Sequence, residues 1–84
     1  MFYFYIFKCK DGTLYCGSAK DLKSREQMHN SGRGSKYVTA HGGGKIIYNE
    51  KFRSWGKTLS REAEVKKWKR LKKLTLIKNS KLSL

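Results

Sequence analysis

Two short apolar runs open the chain, with a turn between them. Residues 2–9 and 13–18 are rich in aromatic and β-branched side chains, which favour β-strands. The intervening Lys10-Asp11-Gly12 is typical of a hairpin turn. Both faces of this hairpin are largely apolar, so we expect helices to cover the sheet on each side.

The construction of the turn decides which side chains share a face. A two-residue loop would point Tyr5 and Tyr15 to opposite faces of the sheet. A three-residue loop with Gly12 in the left-handed bulge position instead pairs Tyr5 with Gly17 and Phe7 with Tyr15. Glycine at the third position suits the second arrangement. We therefore predict that Tyr5, Phe7 and Tyr15 share one face.

Helical and extended patterns alternate after the hairpin. Asp21 suits the N-cap of a first helix that runs to about Asn30, where the glycines at positions 32 and 34 end it. A glycine-rich loop follows, and residues 45–52 then read as a third strand.

The last part of the chain predicts two further helices. One runs from about Thr58 to about Arg70, and a short one covers residues 71–79. The side chains expected to face the core from these helices are Leu59, Ala63, Val65, Leu71, Leu74 and Ile77. The predicted fold is therefore α+β, a small three-stranded sheet flanked by helices in the order β-β-α-β-α-α, within a single domain spanning residues 1–84.

The net charge of the chain indicates the class of ligand that it binds. Lys and Arg number 20 against 6 Asp and Glu, which gives a net charge of +14. Such self-repulsion suits a nucleic-acid ligand, although a generic anion-binding protein fits the charge equally well.

Cys9 and Cys16 do not form a zinc pattern or a disulfide scaffold, so both are interpreted as reduced core residues. The first residues lack a basic leader and are too short to span a bilayer, which predicts a cytoplasmic protein without membrane contact.

Few carboxylates are left for a metal site. Once turn, cap and surface positions are set aside, Glu62 and Glu64 remain, and a single Mg²⁺ held by one Glu, water and substrate phosphate is compatible with this supply. Glu62 falls at the edge of the inner helix face, where a charge breaks the pattern. From the residues alone, an ordinary i, i+4 ion pair to Lys66 is the favoured interpretation. Glu64 falls towards solvent.

The first helix shows a similar conflict. Leu22 directs its stripe inward, and the next two members are Arg25 and His29. Arg25 suits bidentate contact with a phosphate, and His29 titrates near neutral pH. Alternatively, both side chains extend outward around Leu22.

These segments, taken in order, resemble a known family. Tyr3-Phe4-Tyr5-Ile6 and Asp11-Gly12-Thr13-Leu14-Tyr15-Cys16-Gly17 are similar to the two short motifs that name the GIY-YIG nuclease superfamily. Residues 21–25, 29–32, 34–37 and 59–66 are similar to further motifs of its small single-domain bacterial branch. The resemblance covers residues 2 to about 77. Tyr3 and Cys16 depart from the motif glycine and isoleucine, which leaves substrate preference open.

The resemblance implies a role for each matching side chain. Tyr5 and Tyr15 match the two motif tyrosines that line the active site, and Arg25 matches the arginine that contacts the scissile phosphate. His29 falls where a proton-transfer residue is common, and Glu62 matches the single ligand of Mg²⁺ or Mn²⁺. The resemblance thus makes Glu62 the expected metal ligand.

The resulting hypothesis is a metal-dependent endonuclease that hydrolyses DNA, directed by DNA structure rather than sequence, in repair or recombination. A non-catalytic nucleic-acid-binding module on the same scaffold is the alternative, and RNA remains open as a partner. Trp55 and Trp68 are interpreted as packing residues rather than base-stacking ones. The side chains expected to contact nucleic acid are Arg33, Lys36, Tyr37, Lys45 and Lys66.

Overall fold

The computed structural model describes residues 1–82, which form three strands and four helices. The strands are β1 (Phe2–Cys9), β2 (Leu14–Ala19) and β3 (Gly44–Phe52). The helices are α1 (Leu22–Asn30), α2 (Lys36–Ala40), α3 (Trp55–Lys66) and α4 (Arg70–Leu82). The α+β class and the predicted order of elements are confirmed, with α2 added inside the predicted loop. No helix in the described part of the chain is long and apolar enough to cross a membrane.

The sheet is antiparallel, in the order β2-β1-β3, so β2 is an edge strand. The three-residue turn predicted for the hairpin is confirmed. Gly12 has φ +90°, and the amide of Cys9 donates to the Thr13 carbonyl at 2.8 Å. The register follows, with Tyr5 opposite Gly17 and Phe7 opposite Tyr15.

Helices cover both faces of the sheet, as the two-sided apolar pattern predicts. On the face that we call the α1 face, Tyr5, Phe7 and Ala19 are buried together with Val38 of α2, and Leu22 of α1 packs against them. On the opposite face, the α3 face, the buried residues are Phe4, Ile6, Cys16, Val65 and Ile77. The free cysteines Cys9 and Cys16 are both buried.

The boundaries of the later helices differ from the prediction. Helix α3 begins at Trp55, three residues before Thr58, because Ser54 supplies the N-cap and accepts from the Lys57 amide at 3.3 Å. It also ends at Lys66, four residues before the predicted Arg70. The short helix α2 was missed because glycines surround it, although Ser35 caps it in the same way.

The predicted inner faces of the last two helices were partly wrong. Val65 and Ile77 are buried as expected, whereas Leu59 and Ala63 are exposed and Leu71 is 76% exposed. Helix α4 starts after a break at Lys67–Lys69, so its phase is set anew, and Leu76 rather than Leu71 or Leu74 packs against the core beside Ile77. Trp68 fills the same side of the core, as predicted.

Candidate active site

A buried phenol and a buried imidazole form the centre of the α1 face. Tyr5 and His29 are each only 2% exposed, and the Tyr5 Oη lies 2.7 Å from His29 Nε2. Gly17, opposite Tyr5 in β2, makes this packing possible, because a Cβ there would overlap the Tyr5 hydroxyl. His29 therefore points inward, as the stripe on the first helix indicates, and does not extend into solvent.

Burial fixes the protonation of this pair. Desolvation, followed by the charges of Tyr15 and Glu62, raises the pKa of Tyr5 far above its usual value, so the phenol stays protonated. Desolvation and then the nearby Arg25 charge lower the pKa of His29, so the imidazole stays neutral. The Tyr5 hydroxyl and His29 Nε2 therefore form a hydrogen bond between two neutral groups, and the second ring nitrogen, Nδ1, has no hydrogen-bond partner within residues 1–82.

Tyr15 lies at the partly exposed margin of the same cluster. Its ring meets His29 edge to face, with centroids 5.4 Å apart, and stacks on Tyr37 of α2 at 5.8 Å. On its other side, the Lys66 ammonium of α3 lies 5.9 Å from the ring centroid. The structure thus surrounds Tyr15 with a buried imidazole, an exposed aromatic ring and a cation.

Glu62 approaches β2 from the α3 face. Its side chain is 19% exposed, so it does not point into bulk solvent. One carboxylate oxygen accepts from the Ser18 hydroxyl of β2 at 2.6 Å, and the other accepts from Lys66 at 3.0 Å. The i, i+4 ion pair that the sequence favours is therefore present, and so is the inward position that marks Glu62 as a functional candidate.

The five predicted catalytic side chains lie around the free edge of β2. Tyr5, Tyr15 and His29 are in direct contact on the α1 face. Arg25 and Glu62 are close enough that their charges shift the pKa of Tyr5, in opposite directions. The Arg25 side chain forms no hydrogen bond or ion pair within the described range, 1–82, which leaves its guanidinium available to an anion.

The predicted nucleic-acid contacts divide into two groups. Tyr37 and Lys66 both contact Tyr15 and therefore flank the site. Arg33 and Lys36 are exposed near α2, where the Arg33 Nε donates to Ser31. Lys45 lies on β3, which is separated from β2 by the central strand, and so belongs to the opposite edge of the sheet.

The remaining carboxylates have structural partners. Glu50, expected at a wet surface, is instead part-buried and holds Arg61 through two hydrogen bonds, at 2.8 and 3.0 Å. Glu26 accepts from the Ile46 amide at 2.7 Å and so ties α1 to β3. No group of three or more His, Cys, Asp or Glu side chains suited to a metal occurs in the described residues.

Sequence reasoning missed one side chain of this site and one contact beside it. Ser18 holds Glu62, and its position next to Gly17 on a strand that alternates faces was the available signal. His41, to which the sequence assigns no role, contacts Asp11 of the hairpin turn and packs against Tyr37 with ring centroids 4.4 Å apart. The contact between His41 and Asp11 links the hairpin turn to the end of α2, the helix that carries Tyr37.

The site thus combines a tyrosine pair on a three-stranded sheet with an arginine on the first helix and a glutamate on the third. The chain belongs to the GIY-YIG catalytic domain family, whose sequence profile matches residues 1–75. The domains of this family are generally endonucleases, and their substrates are nucleic acids. The resemblance drawn from the motifs is thereby confirmed.

Within that family the similar proteins are small. A UPF0213 protein from Staphylococcus saprophyticus is 47% identical over 75 residues, which cover 89% of this chain and 92% of that protein. A UPF0213 protein from Staphylococcus aureus strain Mu3 is 45% identical over 74 residues, 88% of this chain and 90% of the relative. The solution structure of a UPF0213 protein from Bacillus halodurans superposes with a TM-score of 0.58 at 37% identity, covering 93% of this chain and 84% of the other.

Proposed function

We propose that this chain is a metal-dependent endonuclease that hydrolyses phosphodiester bonds in DNA. The observation that carries the proposal is the meeting of two sets of side chains at the free edge of β2. Tyr15, His29 and Arg25 come from the α1 face, and Glu62 reaches the same edge from the α3 face. Hydrolysis of a phosphodiester needs a water, a cation and donors to the phosphate, and these groups suit that need.

The carboxylate of Glu62 fits a sparsely held Mg²⁺ or Mn²⁺. Mg²⁺ commonly keeps several waters and uses one or two carboxylates together with substrate phosphate. Lys66 binds one oxygen of Glu62, but its side chain is 51% exposed and can move away when a cation arrives. The bound ion would supply positive charge beside the phosphate and a more acidic water.

The side chains divide the work according to their burial. Arg25 donates to the non-bridging oxygens of the scissile phosphate. Tyr15, the partly exposed phenol, orients the attacking water, while the buried Tyr5 and His29 pair holds its ring in place. The water oxygen bonds to phosphorus as the bond to the sugar oxygen breaks. The water releases one proton to solvent through the Tyr15 hydroxyl and the sugar oxygen gains one, so the products are a phosphomonoester and an alcohol.

A domain of this size favours DNA structure over DNA sequence as its target. Sequence-specific proteins bury about 1,000–2,500 Å² against DNA, which is large beside a domain whose extents are 29 × 27 × 25 Å. Recognition of a branch, flap or nick needs fewer contacts to base edges. We therefore propose that the chain acts in DNA repair or recombination and that it does so in the cytoplasm.

Incubation of the purified protein with single-stranded, nicked and branched DNA tests the proposal. Cleavage is expected with Mg²⁺ or Mn²⁺ and none with chelator. Arg25→Ala should reduce the rate by about 100-fold or more, because a donor to the developing charge is lost. Arg53→Ala is the matched control, since Arg53 is an exposed arginine that lies outside the proposed site. Absence of product from every DNA with every metal would refute the proposal.

A nucleic-acid-binding module without activity is the second candidate, and one observation favours it. Each oxygen of Glu62 already accepts a hydrogen bond, one from Ser18 and one from Lys66. If the Lys66 ammonium keeps this position in solution, its charge opposes the binding of a metal cation by the carboxylate. Binding of DNA that weakens steeply with salt, combined with no cleavage even by Lys66→Ala, is the result expected of the module.

A further inference from the structure

A second region of the surface combines aromatic rings with positive charge. A cleft of about 480 Å³ lies at the end of the sheet where β1 begins and β2 ends, and it is lined by Phe2, Lys20, Arg25 and Trp55. Its lining contains two rings and two cations but no carboxylate. That combination suits a nucleotide, because bases stack on aromatic rings and phosphates bind cations.

The rings in this cleft are open to a ligand. Trp55, the first residue of α3, is 40% exposed although it is a large aromatic side chain. It meets Phe2 at 5.4 Å between centroids with an angle of 59° between the rings, so the two rings form an open wedge rather than a closed stack. Trp68, the second tryptophan, is instead packed against the core on the α3 face. Trp55 thus packs against Phe2, as predicted, and still keeps 40% of its surface exposed.

The charges in the cleft also lack acidic partners. Lys20 and Arg25 form no ion pair within residues 1–82, and the Lys20 ammonium lies 5.7 Å from the Phe2 ring centroid. Helix α3 also begins beside the cleft, with Ser54 as its N-cap and no acidic residue in its first turn. The positive end of its dipole therefore adds to the attraction for a phosphate, whereas the N-terminus of α1 is already capped by the Asp21 carboxylate.

Arg25 joins the cleft to the candidate active site. The same guanidinium lines the cleft and acts electrostatically on Tyr5 and His29. Lys20, the residue that follows β2, comes three residues after Gly17, which corresponds to roughly 10 Å of extended chain. A DNA strand whose scissile phosphate lies on Arg25 would thus have its neighbouring nucleotide at the cleft.

We propose that this cleft binds an unpaired nucleotide next to the scissile phosphate, with its base against Trp55 and Phe2 and its phosphate on Lys20 and Arg25. The inference rests on the proposed function, since it uses Arg25 as the contact to the scissile phosphate. A base inside a duplex must leave its stack to reach the wedge, which costs a few kcal/mol and costs least where the base is already unpaired. The substrate class is therefore single-stranded or branched DNA rather than continuous duplex.

Binding measured in chelator, where no metal-dependent cleavage occurs, tests the cleft separately from catalysis. The probes are a short labelled oligothymidylate and an abasic oligomer with the same number of phosphates. The wild-type chain should bind the oligothymidylate about 10-fold more tightly, because stacking contributes about 1–3 kcal/mol per base. Trp55→Ala should remove this difference and leave the affinity for the abasic oligomer unchanged, whereas Trp55→Phe should retain most of it.

Two control variants separate binding in the cleft from non-specific binding. Leu59→Ala removes another exposed apolar side chain of α3 and should bind both oligomers as the wild type does. Lys20→Ala should weaken both complexes and lower the salt dependence by about one counterion, as expected for a phosphate contact. In a Trp68→Phe background, where Trp55 is the one tryptophan left of the two in the sequence, the oligothymidylate should quench fluorescence and the abasic oligomer should not.

Three results would overturn the cleft assignment: equal affinity of the wild type for both oligomers, unchanged discrimination in Trp55→Ala, or competition by oligoglutamate as strong as by the abasic oligomer. The last result would indicate an acidic peptide as ligand. If the chain discriminates between the oligomers but cuts no DNA, the cleft assignment stands and the nuclease proposal fails. If the chain cuts DNA without discriminating between the oligomers, the nuclease proposal stands and the cleft assignment fails.

Discussion

Alternate residues of the central strand β1 face the two sides of the sheet, yet the two sides bury different kinds of side chain. On the α3 face, β1 contributes Phe4 and Ile6 to a cluster whose buried members are all apolar. On the α1 face it contributes Tyr5 and Phe7, and His29 inserts a neutral ring among them with one nitrogen unpartnered in the described residues. The first face has the composition of a core built for stability, whereas the second places polar groups under a partly exposed tyrosine.

The difference shows that the α1 face contains a buried group that lowers the stability of the fold. A buried polar atom without a hydrogen bond costs about 1–3 kcal/mol, and an apolar residue at position 29 would avoid that cost. On the α3 side the polar groups are hydrogen-bonded: the buried Thr58 donates to the Ser54 carbonyl, and Glu62, at the rim, accepts from Ser18 and Lys66. His29 and Glu62 both contact residues of β2. Local conflicts of this kind are typical of functional sites.

Removal of the partly exposed phenol of Tyr15 should cost most of the activity. Tyr15→Phe should reduce cleavage by about 100-fold or more, because the water loses its orienting hydroxyl, with little change in stability. Tyr5→Phe is the contrasting variant, since it leaves His29 Nε2 without its hydrogen-bond partner and should lower the free energy of unfolding by about 1–3 kcal/mol. Cleavage rates and urea unfolding of both variants would test this. Equal rates in Tyr15→Phe and the wild type would contradict the assigned role.

Filling the space under Tyr5 should disturb the α1 face from within. Gly17→Ala would place a Cβ against the Tyr5 hydroxyl, so the ring must move. We expect about a 100-fold loss of cleavage, as for a displacement of about 1 Å at a catalytic centre, and a stability loss of about 1–3 kcal/mol. Gly56→Ala is the matched control, because its nearest neighbour is Ser54 Oγ at 3.6 Å and alanine suits a helix. Wild-type activity in Gly17→Ala would indicate that Tyr5 does not position the site.

A cavity on the α3 face should affect stability alone. Val65→Ala removes a fully buried side chain from that face and should lower the free energy of unfolding by about 2 kcal/mol. The cleavage rate well below the melting temperature should stay within about twofold of the wild type, because Val65 belongs to the apolar cluster of the α3 face and carries no polar group. Leu59→Ala, exposed on the same helix, should change stability by less than about 0.5 kcal/mol. A large loss of rate at full folding would show that the two faces are not separable.

The buried imidazole should make stability depend on pH. Burial lowers the pKa of His29 below its ordinary value of 6.5, so below pH 6.5 the unfolded chain binds a proton that the folded chain resists. Stability from this group is therefore complete above pH 6.5 and is lost as the pH falls towards the folded-state pKa, with a slope of at most about 1.4 kcal/mol per pH unit. Urea unfolding at several pH values would measure the slope. His29→Phe should reduce it, and an unchanged slope would contradict the assignment.

Local rules were sufficient for much of the fold. The glycine at the third turn position determines the hairpin register, and the register places Tyr5 and Tyr15 together. Asp21 caps α1 by accepting from the Ser24 amide at 3.0 Å, as its side chain predicts. The boundary of α3 was missed because Ser54 and Thr58 are both capping residue types, and the choice between them depends on tertiary packing of Thr58.

The site was less accessible to sequence reasoning. Apolar periodicity identifies inward stripes, and it brought Arg25 and His29 to the sheet correctly. Periodicity does not show that Ser18 and Lys66 hold Glu62 from two sides, because that geometry depends on how α3 crosses the edge of β2. The exposed wedge of Phe2 and Trp55 also depends on contacts between residues far apart in the chain.

The most direct test compares two glutamates of α3 that lie two residues apart. Glu62→Gln should abolish DNA cleavage in Mg²⁺ and leave DNA binding nearly unchanged, because the substitution removes the charge of the proposed ligand and preserves its shape. Glu64→Gln, whose carboxylate is exposed and pairs with Arg61, should cleave at the wild-type rate. Retained cleavage in Glu62→Gln, or equal losses in the two variants, would contradict a catalytic centre at the edge of β2.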